Sequence, residues 1–196
     1  MDEQGDARII LESLEDPARF AEIFERHHDA VYRYAAYRVG TEVGGDVAAE
    51  VFLRAFATRH RFRSDASSAR PWLFGIATNL VRDHFRKTAR GHRAVAAMRP
   101  DPSAEVVWFE DVDSRVDAER VHGQLADALK AMRGPDREVL FLYALAGLTY
   151  REVAEALEIP IGTVQSRLFR VRAKLRNIQR GIGESEGEGS TRDNEH

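Results

Sequence analysis

The chain is predicted to be all-α, built as two small helical domains joined by a flexible linker, and three observations point that way. Apolar residues recur at steps of three and four along most of the sequence. No run alternates β-branched residues with the period of a strand. The helical pattern breaks once near the middle, from about Thr88 to Ser114, where Gly91, Pro100 and Pro102 sit among scattered acids. A chain of 196 residues has room for one large or two small domains, and its 43% hydrophobic content is enough for packed cores.

The elements follow in order. Residues 1–17 read as an acidic N-terminal segment. Asp16-Pro17 starts a helix with Phe20, Ile23, Phe24, His27, Val31 and Ala35 on one face, and Gly40 stops it. A second helix begins near Asp46 and turns Val47, Val51, Phe52, Ala55 and Phe56 inward. The run Phe62 to Ala69 is a polar, turn-rich loop. Arg70-Pro71 opens a third long helix, with Trp72, Leu73, Ile76, Ala77, Leu80, Val81, His84 and Phe85 toward the core. These elements make a first domain over 18–88, followed by a linker over 89–114. A second domain over 115–178 holds a helix around Val121 to Met132, another opened by Gly134-Pro135, and a stop at Gly147. The tail 179–196 has hardly any apolar content and is expected to be disordered.

Leu148 to Leu175 is the most informative stretch. Thr149 is placed to cap a short helix, Glu152 completes a capping box, and Leu148 and Val153 stand at the positions of a hydrophobic staple. Pro160 suits the start of a second helix. There Ile161, Val164, Leu168, Val171 and Leu175 form a buried stripe. Thr163, Gln165, Ser166, Arg167, Arg170, Arg172, Lys174 and Arg176 are left to the other faces, and no acid occurs between Ile159 and Arg180. A helix apolar behind and basic or neutral in front suits a phosphate-lined major groove. The segment is a helix-turn-helix and a candidate DNA reader.

The formal charge of −3 conceals a segmented distribution. Residues 54–93 hold ten bases and two acids, residues 159–180 six bases and no acid, and residues 94–121 between them seven acids and three bases. Two basic blocks with an acidic spacer suggest two polyanion-binding surfaces. In the first block Asn79, Arg82, Asp83, Arg86 and Arg90 share one helix face, with Lys87 at its edge. The preceding Phe62-Arg63-Ser64-Asp65 is short, polar and flanked by arginines, a composition that could take an extruded base and read its edge.

Other classes find little support. The chain has no cysteine, so disulfides and thiolate metal sites are out of reach. No apolar run approaches the ~20 residues of a membrane span, and the acidic N-terminus does not resemble a signal peptide; a cytoplasmic location is expected. P-loop, GxSxG and HExxH patterns are absent. Histidines 27, 28, 60, 84, 92, 122 and 196 show no metal-ligand spacing, and Asp65 and Asp83 are the only acids of the first basic block, too few for a nuclease. No catalytic residue, cofactor or metal is expected.

The segments GDVAAEVFLRAF, RPWLFGIATNLVRDHFRK and GLTYREVAEALEIPIGTVQSRLFRVRAKLR, in that order, resemble a bacterial sigma factor of the extracytoplasmic-function group. The likeness covers about 18–88 as domain σ2 and 115–178 as domain σ4, with the linker in place of σ3. The helix-turn-helix alone would equally serve a stand-alone LuxR-type regulator, which lacks a σ2-like domain. The resemblance implies an alternative sigma factor that binds core RNA polymerase and directs promoter-specific initiation. It implies that σ4 lays Ile161–Leu175 in the major groove of the −35 element. It implies that σ2 recognises and melts the −10 element, the Phe62–Ala69 loop taking an unpaired base and Asn79, Arg82 and Arg86 following the strand. The helix from Asp46 to Phe56 would dock on the clamp helices of the polymerase β′ subunit through Asp46, Glu50, Arg54 and Phe56, and σ4 would meet the β flap. Asp46-Val47-Ala48-Ala49-Glu50 departs from the family's usual Asp-Leu-Val-Gln-Glu at Ala49, which removes one polar contact. The acidic linker would thread toward the RNA exit path. Promoter DNA and core polymerase are the implied partners, an anti-sigma factor is a further candidate, and the free chain is expected to be a monomer.

Overall fold

The computed structural model describes residues 5–63, 68–98, 128–129 and 131–187. Among them every regular element is helical. An N-terminal bundle comprises α1 (Asp6–Glu12), α2 (Ala21–Val39), α3 (Thr41–Thr58) and α4 (Arg70–Met98), and a C-terminal unit comprises α5 (Gly134–Ala144), α6 (Tyr150–Ala156) and α7 (Ile161–Gly187). Short 3-10 turns at Pro17–Phe20 and Arg59–Arg61 lead into α2 and out of α3.

Local chemistry explains most boundaries. Asp16 accepts a hydrogen bond from the Ala18 amide at 3.1 Å, capping the Pro17 turn. Gly40 ends α2 at φ +85°, a conformation that a side chain would strain. In the C-terminal unit the capping box forms as expected: the Glu152 amide donates to Thr149 Oγ1 at 3.3 Å and the Thr149 amide to Glu152 Oε2 at 2.7 Å. Leu148 and Val153 are both buried, as a staple requires.

The core is continuous from one unit to the other. Ile23, Val31, Ala35, Val51, Leu73, Ala77 and Val81 are solvent-inaccessible at its N-terminal end, and Val139, Leu142, Val153 and Val164 at its C-terminal end. Between them Phe141 of α5 meets Tyr37 edge-on at 5.7 Å, and the Arg38 guanidinium lies 4.6 Å over the Phe141 ring.

Several expectations need correction. The acidic start of the chain is not merely a segment: α1 buries Ile9 and Ile10 completely and Asp6 almost so. α3 begins at Thr41, well before Asp46. α4 continues to Met98, into the expected linker, because alanines and long side chains propagate a helix once it is nucleated. α7 likewise runs past Gln179 to Gly187, with no proline to stop it. Phe24, Phe56 and Ile161, expected inward, are 43%, 36% and 41% exposed. The apex of the Phe62–Ala69 loop, including Ser64 and Asp65, the linker from residue 99, the start of the helix expected at Val121 and the tail from residue 188 lie outside the described residues.

Candidate nucleic-acid interface

Two surfaces carry the candidate DNA-binding residues. On α7, Val164, Leu168 and Val171 pin the helix to its unit. At 3.6 residues per turn the ridge opposite them is Gly162, Ser166, Phe169 and Ala173, with Gln165 beside it. Gln165 and Ser166 are exposed, and Phe169 is 68% exposed at the centre of the ridge. Sequence reading missed Phe169 because an aromatic on a helix is usually assigned to the core; its position one step off the Val164–Leu168–Val171 stripe was the available signal.

The basic residues lie along the flanks and are fastened to their own unit. Arg170 forks onto Asp136 of α5, at 2.7 Å to Oδ1 and 3.3 Å to Oδ2, and Arg133 reaches the same carboxylate at 3.0 Å. The hydrogen bond from Arg170 holds the Asp136 carboxyl below the usual carboxylate range, against its burial and with help from Arg133. Lys174 donates to the Ala131 carbonyl at 2.6 Å, and Arg167 to the Pro135 carbonyl at 3.5 Å. On the other flank Arg172 donates to the Tyr150 hydroxyl at 2.7 Å. The face expected to be basic or neutral is therefore a small polar and aromatic ridge between two rails of positive charge. Thr163 is half-buried near the α5 flank.

The second surface is a cleft of about 420 Å³ beside the N-terminal half of α4. Its N-terminal wall includes Arg61, Phe62, Arg63, Trp72, Ile76 and Asn79. Phe62 packs on Trp72 with ring centroids 5.1 Å apart, so Trp72, expected in the core, is half-buried and shared between core and cleft. The opposite wall, Glu155, Ala156 and Glu158, belongs to the C-terminal unit.

The shared helix face expected on α4 divides in the structure. Asn79 is exposed and accepts from Arg82 Nη1 at 3.4 Å. Arg82 forks through Nε and Nη2 onto both carboxylate oxygens of Glu138, which raises the pKa of its guanidinium further against burial. Asp83 pairs with Arg86, whose hydrogen bond lowers its carboxyl. Lys87 and Arg90 are exposed.

The outward face of α3 carries Asp46, Glu50, Leu53 and Arg54. Glu50 accepts from Arg54 at 2.6 Å, Leu53 is 65% exposed, and Phe24 and Phe56 lie at the edges. Leu53 also escaped sequence reading, although it falls three residues after Glu50 on the same face. Among the described residues no helix is long and apolar enough to cross a membrane.

The family models for "Sigma-70 region 2" and "Sigma-70, region 4" match residues 23–91 and 122–175. The chain is 32% identical over 179 residues to the ECF RNA polymerase sigma factor SigC of Mycobacterium tuberculosis, covering 89% of this chain and 91% of that one. It is 35% identical over 131 residues to the RNA polymerase sigma factor HrpL of Pseudomonas syringae, covering 67% and 70%. The fold is similar to CnrH, solved in complex with the cytosolic domain of CnrY, at TM-score 0.65 and 23% identity over 91% of this chain and 99% of that one. It is also similar to the sigma factor RpoE of Bartonella quintana, solved with the anti-sigma factor NepR, at TM-score 0.59 and 21% identity over 82% and 96%. The chain belongs to the sigma-70 family and is an alternative sigma factor of the extracytoplasmic-function group.

Proposed function

We propose that the two surfaces divide promoter reading between them, with 18–88 acting as σ2 and 115–178 as σ4. The observation that carries this division is the contrast between them. One is an outward helix ridge flanked by cations, which suits a duplex groove, and the other is a cleft with aromatic and amide side chains, which suits an unpaired strand.

At the −35 element, Gln165 and Ser166 read base edges and Phe169 packs against a thymine methyl. Arg167, Arg170, Arg172 and Lys174, with Thr163 beside them, hold the phosphates on either side. At the −10 element the unpaired strand runs along α4. Phe62 and Trp72 offer rings for stacking, Asn79 a hydrogen-bonding edge, and Arg63, Arg82, Arg86 and Lys87 positive charge, with Asp83 orienting Arg86. Ser64 and Asp65 complete the base-capturing loop.

Opening the duplex costs about 1.4 kcal/mol of stacking per step, so a small domain can melt DNA only by preferring the single strand to the duplex. Each module can be weak alone, because core polymerase fixes their spacing and makes the second contact intramolecular. Asp46, Glu50, Arg54 and Phe56, with Leu53 between them, form the docking face for the β′ clamp helices, and σ4 meets the β flap. The chemistry of transcription belongs to the polymerase, and the chain works in the cytoplasm as a non-catalytic subunit. An anti-sigma factor is a fitting further partner, since the similar sigma factor RpoE of Bartonella quintana was captured with one.

Run-off transcription with core polymerase on a genomic promoter library tests the reading. Transcripts sharing one −35 and one −10 sequence are expected. Nanomolar, sequence-specific duplex binding by the free chain, without core polymerase, would instead favour a stand-alone regulator.

A further inference from the structure

We propose that α1 positions the strand-stacking pair Phe62 and Trp72, with Asp6 and the Ser13 carbonyl holding the two chain segments that carry those rings. This rests on the strand path proposed above. Asp6 touches no DNA in this reading and is a positioning residue.

α1 turns one face to the bundle. Asp6, Ile9, Ile10 and Ser13 fall at i, i+3, i+4 and i+7, and all four are buried. The isoleucines supply the packing between the two polar residues. Asp6 and Ser13 are about two turns apart, so they stand on the same side of the helix, roughly 10 Å from one another. Each meets a different segment of chain. Asp6 Oδ2 accepts from the Ala69 amide at 2.8 Å, and the Ser13 carbonyl accepts from Arg59 Nε at 3.3 Å.

The two partners occupy matching positions: Arg59 stands three residues before Phe62, and Ala69 three residues before Trp72. Tight backbone turns carry the placement forward on both sides. The Arg59 carbonyl accepts from the Phe62 amide at 3.1 Å, which closes the 3-10 turn. The Ala69 carbonyl accepts from the Leu73 amide at 2.9 Å, which closes the first turn of α4 around Trp72. Ser68 Oγ donates to Asp6 Oδ2 at 3.3 Å and accepts from the Arg70 amide at 3.2 Å, while Pro71 has no amide to satisfy. The start of α4 is therefore capped from α1 as well as by its own Ser68. The carboxylate also sits where the helix dipole favours negative charge.

α1 is in turn fixed to α2. Arg26 and His27 reach Asp6 at 3.3 and 2.8 Å, and Arg19 spans Glu12 and Glu22 at 2.9 and 3.5 Å. None of these residues lines the cleft, so the ties act on the rings from behind. Rings already in place bind a strand well, because ordering them at the moment of binding would subtract from the affinity. A bundle with α1 loosened keeps its polymerase docking face and loses strand capture.

The test uses the full chain assembled with core polymerase. The probe is a fluorescein-labelled, randomised single-stranded 12-mer of DNA, since stacking tolerates any base; core polymerase alone gives the background. If the rings are correctly placed in about one molecule in ten without the Asp6 tie, Asp6→Asn should bind the 12-mer about tenfold more weakly, with core binding unchanged. Gly44→Ala strains the α2–α3 crossing without touching either tie, and should bind the 12-mer as the parent does. Hydrogen exchange read by mass spectrometry should rise in Asp6→Asn over residues 59–72 and not over residues 47–55. Ser68→Ala, a milder change that removes one donor to the same carboxylate, should move both readouts in the same direction by less. Parent-like 12-mer binding by Asp6→Asn, an equal loss in Gly44→Ala, or exchange that rises uniformly across the bundle overturns the positioning role. Asn79→Ala checks the strand path separately. Unchanged 12-mer binding there removes the path and the positioning with it, whereas weaker binding there beside parent-like binding by Asp6→Asn removes the positioning alone.

Discussion

Replacing Asp6 by asparagine should destabilise the protein by about 2 kcal/mol at neutral pH and by almost nothing near pH 2. Its carboxylate is buried and joins three parts of the bundle. It accepts from the Ala69 amide at 2.8 Å, from Ser68 Oγ at 3.3 Å and from Arg26 Nη1 at 3.3 Å, and meets His27 Nε2 at 2.8 Å. Burial opposes its ionisation, but the bonds from His27, Ala69 and Arg26 together outweigh burial and bring the pKa from 3.8 down to about 2. Because the folded value lies below the unfolded one, the stabilisation is full above about pH 4 and is lost as pH falls through about 2. The difference of nearly two units corresponds to about 2 kcal/mol, or a loss of about 4–8 °C in melting temperature for a chain of this size. Thermal melts followed by circular dichroism at pH 7, 4 and 2 give the comparison. A deficit that stays constant from pH 7 to pH 2 would show that the charge is not its source. Asp6 also anchors the end of the 62–69 loop, so Asp6→Asn should slow promoter opening while leaving core polymerase binding intact.

Gly44→Ala should lower the melting temperature by about 2–4 °C. Its Cβ would stand 2.5 Å from Ala36 Cα, and the overpacking, about 2 kcal/mol, exceeds the gain of about 1 kcal/mol from helix propensity. Differential scanning calorimetry measures this. Phe169→Ala should weaken −35 duplex binding by the holoenzyme about fivefold, near 1 kcal/mol, and relax preference at one base pair, read by competition binding; an equal loss at every sequence would make Phe169 a scaffold residue. Arg167→Ala should weaken all sequences alike and flatten the salt dependence, as a phosphate contact does. Thr149→Ala should cost about 1 kcal/mol through the lost cap, and Thr149→Ser should recover most of it, both measured by urea denaturation.

The elements with strong local chemistry could be read from the sequence, and those settled by packing could not. The Thr149–Glu152 box, the stop at Gly40 and the start at Arg70-Pro71 each depend on a few neighbouring residues, and each formed as expected. α1 was hidden because seven residues are too short for a periodic signal, and its acids suggested solvent although Asp6 is buried. On α7 Val164, Leu168 and Val171 of the expected stripe are buried, Leu175 is half-buried and Ile161 exposed, and the basic residues in front lie along the flanks. Pattern alone could not show that Asp136, some thirty residues earlier, would draw Arg170 to the flank. The pairing of Arg82 with Glu138 was equally out of reach, since it depends on how the two units meet.

The rails beside α7 also bear on how such a reader could be retargeted. Arg167, Arg170 and Lys174 are tied to α5, and Arg172 to Tyr150, so the helix is held from both sides by groups that need no particular base sequence. Gln165, Ser166 and Phe169 stand free of those ties. Exchanging them changes the reading head and leaves the mount in place, so new promoter preferences lie within three substitutions on an unchanged scaffold.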